Sequence, residues 1–347
     1  ARLGGDEFAV LLSLPDPDEA HGVAVRILRA LDEPYPHDKG PIYVSTSIGM
    51  ACCSTAQDVP TLLRNADLAL RSAKQRGKNR VERYDVSYDQ AQRRRVRLEH
   101  EMRGAIDRGE LRLAFQPVVT AGQPDRPAFY EGLIRVTDPT GRVIPAREFI
   151  TQVETREAGR IIDCLALEKG LATLAEYPDL RLSVNMSARS IGYRRWTRIL
   201  NKGLSADPTI AERLILEITE SSAMLVPELV VGFMSDLQSR GVGFALDDFG
   251  AGYTSFRFLK DFFFDILKID GQFIRGIASD ADNQVLAAAL LGIGRHFDMV
   301  TVAESVERAE DAAYLTALGL DCLQGYYFGA PTVRPPWLDT GLAQATA

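Results

Sequence analysis

Apolar residues of this chain cluster in short runs between residues 111 and 326, and the runs alternate with longer amphipathic stretches. A short apolar run bounded by polar residues indicates a buried strand, and apolar positions that recur every three or four residues indicate a helix. We predict strands at residues 111–115, 129–133, 181–184, 214–218, 243–246, 266–269, 300–303 and 322–323, and helices at 156–175, 227–238, 282–297 and 306–318. Within 227–238, the stripe that should face inward is Leu229, Val230, Phe233, Met234 and Leu237. The alternation predicts an α/β protein with a TIM-like (β/α)8 barrel over residues 111–337, followed by a frayed tail at 338–347.

Each predicted strand ends in a side chain that can bind a metal or a phosphate. These side chains are Gln116, Glu131, Asn185, Glu217, Asp247 with Asp248, Lys268 with Asp270, Glu304 and Gln324. The carboxyl ends of barrel strands meet at one mouth, where the active sites of this architecture lie. We therefore expect these residues to converge on a single site.

The candidate ligands are oxygen donors rather than nitrogen or sulfur donors. None of the four histidines (His21, His37, His100 and His296) ends a predicted barrel strand. Mg²⁺ and Mn²⁺ prefer oxygen ligands, whereas zinc sites usually include His or Cys. Two such ions about 3.5–4 Å apart can activate a water and neutralise a transferring phosphoryl group. The sequence therefore predicts two divalent cations and hydrolysis of a phosphodiester bond.

Plainer interpretations exist for several of these residues. Asn185 can cap the following helix instead of binding a metal, although Ser187 can also provide that cap. Asp247 and Asp248 can belong to an ordinary turn before Gly250, although paired acids at a strand end suit a loop between two metals. Lys268 can be a solvated lysine, but it lies two residues before Asp270 and so shares its strand face.

Charge and composition exclude some classes of protein. Forty basic residues against 47 acidic ones give a net charge of −7, which argues against a nucleic-acid polymer as partner. The four cysteines form no CxxC pair, which favours a reducing, cytoplasmic setting. The chain begins at Ala1 inside a strand-like pattern, so we expect a fragment of a longer protein in which a membrane anchor could precede it.

The first part of the chain has a different pattern. Residues 1–86 contain predicted strands at 8–12, 42–51 and 80–84 and predicted helices at 19–31 and 60–75, too few strands for a complete parallel sheet. We interpret this segment as part of an α/β domain. Residues 87–110 carry mixed charges, including Arg93–Arg95, and are predicted to form a solvated connector helix; interleaved acids weaken the alternative of a basic nucleic-acid surface.

The barrel segment closely resembles the EAL domain, a bacterial phosphodiesterase that cleaves cyclic di-GMP to linear pGpG, over roughly residues 95–335. The motifs that carry the likeness are Phe115-Gln116-Pro117, Glu131-Gly132-Leu133 with Arg135, Val184-Asn185-Met186-Ser187, Glu217-Ile218-Thr219-Glu220-Ser221, Asp247-Asp248-Phe249-Gly250-Ala251-Gly252-Tyr253, Lys268-Ile269-Asp270, Ala303-Glu304-Ser305-Val306-Glu307 and Gln324-Gly325-Tyr326.

The resemblance implies a role for each matched residue. The metal ligands would be Glu131, Asn185, Glu217, Asp247, Asp248, Asp270 and Glu304, with Asp247 bridging two Mg²⁺ or Mn²⁺ ions. Catalysis would rest on Lys268, Glu304, Glu131 and Asp247, with Lys268 positioning the water and Glu304 acting as ligand or base. The dinucleotide would contact Gln116, Leu133, Arg135 and Gln324, and Glu220 would tether the loop that starts at Asp247. That loop lies near a homodimer interface in the family, so a homodimer is implied.

Three departures from the family pattern stand out. Gly132 replaces the usual Ala, which adds no bulk. Ser305 replaces the Gly that usually follows Glu304, so a positive φ there would strain Ser305 and displace Glu304 slightly. The segment 154–159 is about two residues longer than the family pattern. No ligand is missing, so we expect an active enzyme.

The N-terminal segment resembles the C-terminal half of a GGDEF domain, the diguanylate cyclase fold. The likeness rests on Gly4-Gly5-Asp6-Glu7-Phe8, Ser47-Ile48-Gly49, Ala66-Asp67 and Ala73-Lys74 with Gly77-Lys78-Asn79. On physical grounds alone the first motif is a β-hairpin turn. The resemblance makes Gly4, Gly5, Asp6, Glu7 and Lys74 a vestigial nucleotide site that would bind GTP only in the intact domain.

Two other functions compete with hydrolysis. The barrel could be a receptor that binds cyclic di-GMP without turnover, or the regulatory part of a bifunctional cyclase and phosphodiesterase. Receptors of this kind typically lack several ligands, and the full set in this chain favours the enzyme.

Overall fold

A computed structural model of the chain describes residues 1–14, 16–38, 40–55, 58–85, 104–105, 108, 110–137, 142–146, 149–154, 156–251 and 259–338. The chain divides into two compact units, Ala1–Arg97 and Leu98–Ala347. Most of the predicted connector at 87–110 and nearly all of the predicted tail at 338–347 lie outside the described residues. Within the described parts, no helix has both the length and the apolar character needed to cross a membrane.

The described residues of the N-terminal unit form two small sheets and two α-helices. Its elements are β1 (Arg2–Gly4), β2 (Glu7–Phe8), α1 (Pro17–Asp32), β3 (Ile48–Met50), α2 (Val59–Gln75) and β4 (Val81–Arg83). Strands β1 and β2 form an antiparallel hairpin, and β3 and β4 are parallel. The carboxylates of Asp16 and Asp58 accept hydrogen bonds from the first turns of α1 and α2, which fixes where these helices begin.

Both predicted helices of this unit are confirmed, but all three of its predicted strands are shorter than expected, the one at 80–84 by a residue at each end. The strand predicted at 8–12 ends at Phe8, and the one predicted at 42–51 is reduced to β3. A strand needs a hydrogen-bonding partner along its whole length, and β2 pairs only with the three-residue β1. The apolar pattern of residues 10–12 indicated the right chemistry for a strand but could not supply that partner.

The second unit is a barrel surrounded by helices. Its strands are β5 (Leu111–Thr120), β6 (Gln123–Thr137), β7 (Val143–Pro145), β8 (Leu182–Asn185), β9 (Leu214–Thr219), β10 (Gly243–Phe249), β11 (Ile266–Ile269), β12 (Val300–Ala303) and β13 (Cys322–Gln324). Its described helices are α3 (Ile150–Val153), α4 (Glu157–Glu176), α5 (Arg194–Ala206), α6 (Glu220–Ala223), α7 (Pro227–Gln238), α8 (Ala281–His296) and α9 (Ala309–Leu318), with 3₁₀ turns at Ala188–Ser190, Pro208–Arg213 and Ile277–Ser279.

The predicted eight-stranded barrel is confirmed. Strands β6, β8, β9, β10, β11, β12 and β13 follow one another in the sheet, and β5 closes the ring by pairing with both β13 and β6. Short β7 lies outside the ring and pairs with β6 alone.

One strand runs opposite to expectation. Strand β5 is antiparallel to both of its neighbours, whereas the other strands of the ring run parallel to each other. Only two residues separate β5 from β6, and a parallel crossover needs about a dozen, so a hairpin is the only connection that fits. Gln116, interpreted as the end of a parallel strand, therefore lies in the middle of β5.

The predicted helices are confirmed with small shifts at their ends. Helix α7 has the predicted bounds, and Val230, Met234 and Leu237 are buried. Leu229 is 50% exposed, so its place in the inward-facing stripe was wrong. It precedes Val230 by one residue, and a step of 100° around the helix carries it to the outer side.

Candidate metal centre and active site

The site is a layer of polar side chains inside the barrel. Seven strands contribute one residue each to an apolar cluster made of Val118, Phe129, Ile215, Ala245, Ile266, Val302 and Cys322. Side chains two positions apart on a strand point to the same side. Two positions further towards the mouth stand Gln116, Glu131, Glu217, Asp247, Lys268, Glu304 and Gln324.

The same periodicity accounts for the reversed strand. On β5 the step towards the mouth runs backwards along the chain, so Gln116 precedes Val118 instead of following it. Gln116 pairs directly with Glu131 of β6. The predicted residue is thus in the layer, although the reason given for it, a parallel strand end, was wrong.

Lys268 lies at the centre of this layer. Its ammonium nitrogen Nζ is 2.8 Å from Glu217, 3.2 Å from Glu131, 3.1 Å from Asp247 and 2.7 Å from Glu304. The side chain is fully buried. A solvated lysine is therefore excluded, and one ammonium group faces four carboxylates.

Amide side chains hold Glu131 in place. Asn185 donates from Nδ2 to Oε1 of Glu131 at 2.7 Å, and Gln324 donates from Nε2 to Oε2 at 2.6 Å. Gln324 also donates to Gln116 at 3.2 Å, and Gln116 donates to the carbonyl of Gly329. Asn185 does not cap the following turn; Ser187 does, through a bond from Arg189 N.

Burial and mutual repulsion oppose full ionisation of these acids. Burial, with Glu131 and Asp247 nearby, raises the pKa of Glu217 to about 8. Burial also raises the pKa of Glu304 well above its usual range, even beside Lys268. Burial alone would lower the pKa of Lys268, but the carboxylates around it raise that pKa well above 10.5. Lys268 is therefore a cation and Glu217 and Glu304 resist ionisation, whereas Lys268 and the hydrogen bonds from Gln324 and Asn185 lower the pKa of Glu131 despite its burial.

The acids of this layer fit a divalent cation. Oε1 of Glu217 is buried and has no hydrogen-bond partner within the described structure. An unpaired buried carboxylate oxygen is costly unless something positive contacts it. The donor set, carboxylates with one amide, is the set that Mg²⁺ and Mn²⁺ prefer.

A second group of acids stands at the mouth. One ligand oxygen each from Asp247, Asp248 and Glu304 lies within 4.8 Å of the others, close enough to share an ion. Burial, together with Asp247 and Asp270, raises the pKa of Asp248 to about 6. Asp270 accepts a hydrogen bond from Gln272 N at 2.7 Å on one oxygen, Oδ1, which holds its carboxylate in the turn after β11.

Hydrogen bonds connect the loops that carry these residues. Glu220 accepts from Gly250 N at 3.0 Å and so contacts the loop that follows Asp248; residues 252–258 of that loop lie outside the described residues. Ser222, also on α6, accepts from Ala188 N at 2.8 Å. The turns after β8, β9 and β10 are thereby linked side by side.

Sequence reasoning missed one buried carboxyl behind this network. Asp163 of α4 accepts from Ser187 N at 3.0 Å and from Ser190 Oγ at 2.6 Å, and burial raises its pKa to about 6. These bonds fix the turn that follows Asn185. The sequence feature that could have revealed this buried carboxyl is its position as a single acid inside the apolar stretch Ile161-Ile162-Asp163-Cys164-Leu165.

The remaining predicted residues lie at the edge of the site or outside it. Leu133 and Arg135 follow Glu131 on the same side of β6, half-buried, and Arg135 donates to the carbonyl of Ile134.

The predicted residues of the N-terminal unit lie on its surface. Gly4, Gly5, Asp6 and Glu7 form the exposed turn of the β1–β2 hairpin, as expected on physical grounds. Lys74 is exposed near the end of α2.

The chain matches two family models. The EAL domain model matches residues 99–331, and the model of the diguanylate cyclase GGDEF domain matches residues 1–80. Among curated proteins, the bifunctional diguanylate cyclase/cyclic di-GMP phosphodiesterase MucR of Pseudomonas aeruginosa is 32% identical over 338 residues, which cover 95% of this chain and 49% of MucR. The cyclic di-GMP phosphodiesterase PdeR of Escherichia coli is 30% identical over 338 residues, covering 95% of this chain and 50% of PdeR.

Solved structures show the same likeness. A complex of the MucR phosphodiesterase with c-di-GMP has a TM-score of 0.61 and 31% identity, covering 70% of this chain and 99% of that one. The EAL domain of FimX from Pseudomonas aeruginosa, bound to c-di-GMP, has a TM-score of 0.62 and 25% identity, covering 68% of this chain and 96% of that one. The chain spans about half the length of the curated relatives named above. With its acid-lined barrel at residues 99–331 and its GGDEF-matching segment at 1–80, the chain belongs to the EAL domain family.

Proposed function

We propose that this chain hydrolyses cyclic di-GMP to linear pGpG with the help of two divalent cations. The observation that carries the proposal is the buried layer in which Lys268 is surrounded by four carboxylates. A receptor that only binds the dinucleotide would have no need for so costly an arrangement. Relatives named as cyclic di-GMP phosphodiesterases, such as PdeR, support the same substrate.

The proposed ligands divide into two sets. Glu131, Asn185, Glu217 and Asp247 would hold one ion, and Asp247, Asp248 and Glu304, assisted by Asp270, would hold the other. Bound Mg²⁺ or Mn²⁺ would supply positive charge for the phosphate and lower the pKa of a water molecule.

The chain's own residues would bind the dinucleotide, orient the attacking water and neutralise charge that develops at the phosphate. Water adds to phosphorus, one P–O bond to the ribose breaks, and the ribose oxygen leaves with a proton. Lys268, whose pKa the surrounding carboxylates raise, would place its positive charge beside the attacking water or the developing oxyanion. Glu304, whose pKa is raised by burial, either binds the second ion or accepts the proton of the water. Gln116, Leu133, Arg135 and Gln324 would line the dinucleotide's side of the site.

The test incubates the purified chain with cyclic di-GMP and Mg²⁺ and follows pGpG by chromatography. We expect turnover that stops with a chelator and that is lost in Glu131→Ala. Asp236→Ala, an exposed acid on α7 outside the site, is the matched control and should keep full activity. Binding of cyclic di-GMP without product would instead establish a receptor.

Two further points complete the proposal. A homodimer is expected, supported by the exposed apolar side chains Leu225 and Leu229, which follow the loop anchor Glu220 in sequence, and light scattering tests it. The N-terminal segment is proposed to regulate the barrel within a longer cytoplasmic protein, with GTP bound only by the intact GGDEF domain. Turnover of the longer protein with and without GTP would test this regulation.

A further inference from the structure

Two neighbouring turns carry the acids at the mouth. Asp270 and Gly271 follow β11, and Glu304 and Ser305 follow β12. The turns are joined by a hydrogen bond from Arg275 Nη2 to Ser305 Oγ at 3.0 Å. Glu304 N also donates to the carbonyl of Ile269 at 3.2 Å. The distance between the two acids therefore depends on how these turns pack against each other.

Gly271 and Ser305 fit each other sterically. A Cβ atom added to Gly271 would lie 2.6 Å from the Cβ of Ser305 and 3.1 Å from Nη2 of Arg275. A contact of 2.6 Å does not occur between real side chains, so glycine at 271 leaves room for the side chain at 305. The φ of Gly271 is not positive, so the requirement for glycine there comes from this contact and not from the backbone.

Ser305 occupies its place against its backbone preference. Its φ is +57°, in the left-handed region that favours glycine. The hydrogen bond from Arg275 is exposed, since 59% of the arginine side chain is accessible, and an exposed bond contributes little alone. The steric fit with Gly271 is therefore the stronger of the two constraints on Ser305.

We propose that Ser305, packed against Gly271 and bound by Arg275, is a positioning residue that fixes the separation of Asp270 and Glu304. It thereby tunes the affinity of the mouth for its cation. This inference rests on the proposed function only in assuming that the mouth binds a divalent cation.

The test is a double-mutant cycle in the whole chain, with Mn²⁺ binding measured by electron paramagnetic resonance without substrate. Gly271→Ala should weaken Mn²⁺ binding about tenfold or more, as loss of a ligand-orienting contact commonly does. In the Ser305→Gly background the same substitution should have little effect, because the clashing side chain is gone. Arg275→Ala should weaken binding less than Gly271→Ala.

Two controls make the result decisive. Gly292→Ala on α8 is a matched control, because no atom lies within 4 Å of an added Cβ there. The melting temperatures of the metal-free variants should show the same coupling between positions 271 and 305. If Gly271→Ala alone fails to fold, a double variant with Ser305→Gly that does fold supports the proposal. Equal effects of Gly271→Ala in both backgrounds, or none in either, would overturn it. Hydrolysis assays on the same samples separate the role of Ser305 from the proposed function. A wild-type chain that binds Mn²⁺ but does not hydrolyse cyclic di-GMP contradicts only the proposed function.

Discussion

The acids of the site occupy two regions that are built differently. The floor, defined as Glu131, Asn185, Glu217, Asp247 and Lys268, lies within barrel strands, and most of it is buried. The rim, defined as Asp248, Asp270 and Glu304, lies where strands end and turns begin. Asp248 has a φ of +53° and Ser305, next to Glu304, has a φ of +57°.

The difference teaches how the two regions are kept in place. Floor side chains follow from strand register: four of the five stand two residues above an apolar side chain of the interior cluster, and Asn185 stands two residues above buried Ser183. Rim side chains depend on local turns and on single hydrogen bonds, such as the one from Gly250 N to Glu220. We therefore expect loss of a charge in the floor to lower stability and activity together, and loss of a charge alone in the rim to lower activity without loss of stability.

Lys268→Met should have the largest effect. It keeps the length of the side chain but removes the positive charge that is paired with four carboxylates, three of which are buried. Removing one partner of a buried ion pair costs about 3–5 kcal/mol, and we expect that loss in urea unfolding of the metal-free chain. Turnover should fall to background. Lys260→Met, at an exposed lysine, is the control. If Lys268→Met were as stable as Lys260→Met, Lys268 would not be the counter-ion of the floor.

Asp163→Asn tests the support behind the floor. The pKa of Asp163 is raised from 3.8 to about 6, so the folded chain holds a proton that the unfolded chain releases. Its stabilising contribution is complete below about pH 4 and is lost as pH rises through 6, a change of about 3 kcal/mol. The free energy of unfolding of the wild type, relative to that of Asp163→Asn, should therefore fall as the pH rises from about 4 to 6. Urea unfolding at several pH values measures this difference. A difference that stays constant with pH would show that Asp163 does not titrate there.

Asp248→Asn should separate the rim from the floor. Asparagine tolerates a positive φ and removes a charge that burial, Asp247 and Asp270 disfavour, so the free energy of unfolding of the metal-free chain should not fall. Hydrolysis should fall about a hundredfold, because one carboxylate of the second ion is lost. Asp248→Ala should add an unfolding cost of about 1 kcal/mol, since alanine disfavours this backbone region. Equal stability losses in Asp248→Asn and Lys268→Met would remove the distinction between rim and floor.

The floor could be predicted from the sequence because its signal is strong and local. Glu217 interrupts the apolar strand Leu214-Ile215-Leu216-Glu217-Ile218, and a buried charge in that position needs partners. Lys268, inside the apolar strand Ile266-Leu267-Lys268-Ile269, follows the same rule. Strand periodicity then brings these residues to one layer without any knowledge of loop geometry.

Other features could not be predicted because they depend on contacts between distant residues. The reversal of β5 follows from its two-residue connection to β6, which the prediction of separate strands at 111–115 and 129–133 did not reveal. The sequence predicted strain at Ser305 only if its φ were positive, and its φ is positive. The fit of Ser305 against Gly271 joins residues 34 positions apart in sequence, and no local pattern indicates it.

Gly132→Ala should have the smallest effect. Glycine replaces the alanine of the family signature at a buried position of β6 next to Glu131. An added Cβ would lie 3.2 Å from the carbonyl oxygen of Ser183 and 3.5 Å from Leu113 and Leu182, so a shift of a few tenths of an ångström accommodates it. Because alanine restricts the unfolded chain more than glycine does, we expect a gain of about 0.4–1 kcal/mol in urea unfolding and unchanged turnover. Gly132→Val is the matched comparison and should destabilise the floor, since its larger side chain cannot fit beside Ser183. A loss of stability in Gly132→Ala itself would mean that β6 and β8 cannot move apart even slightly, and that the floor is more rigid than strand pairing alone requires.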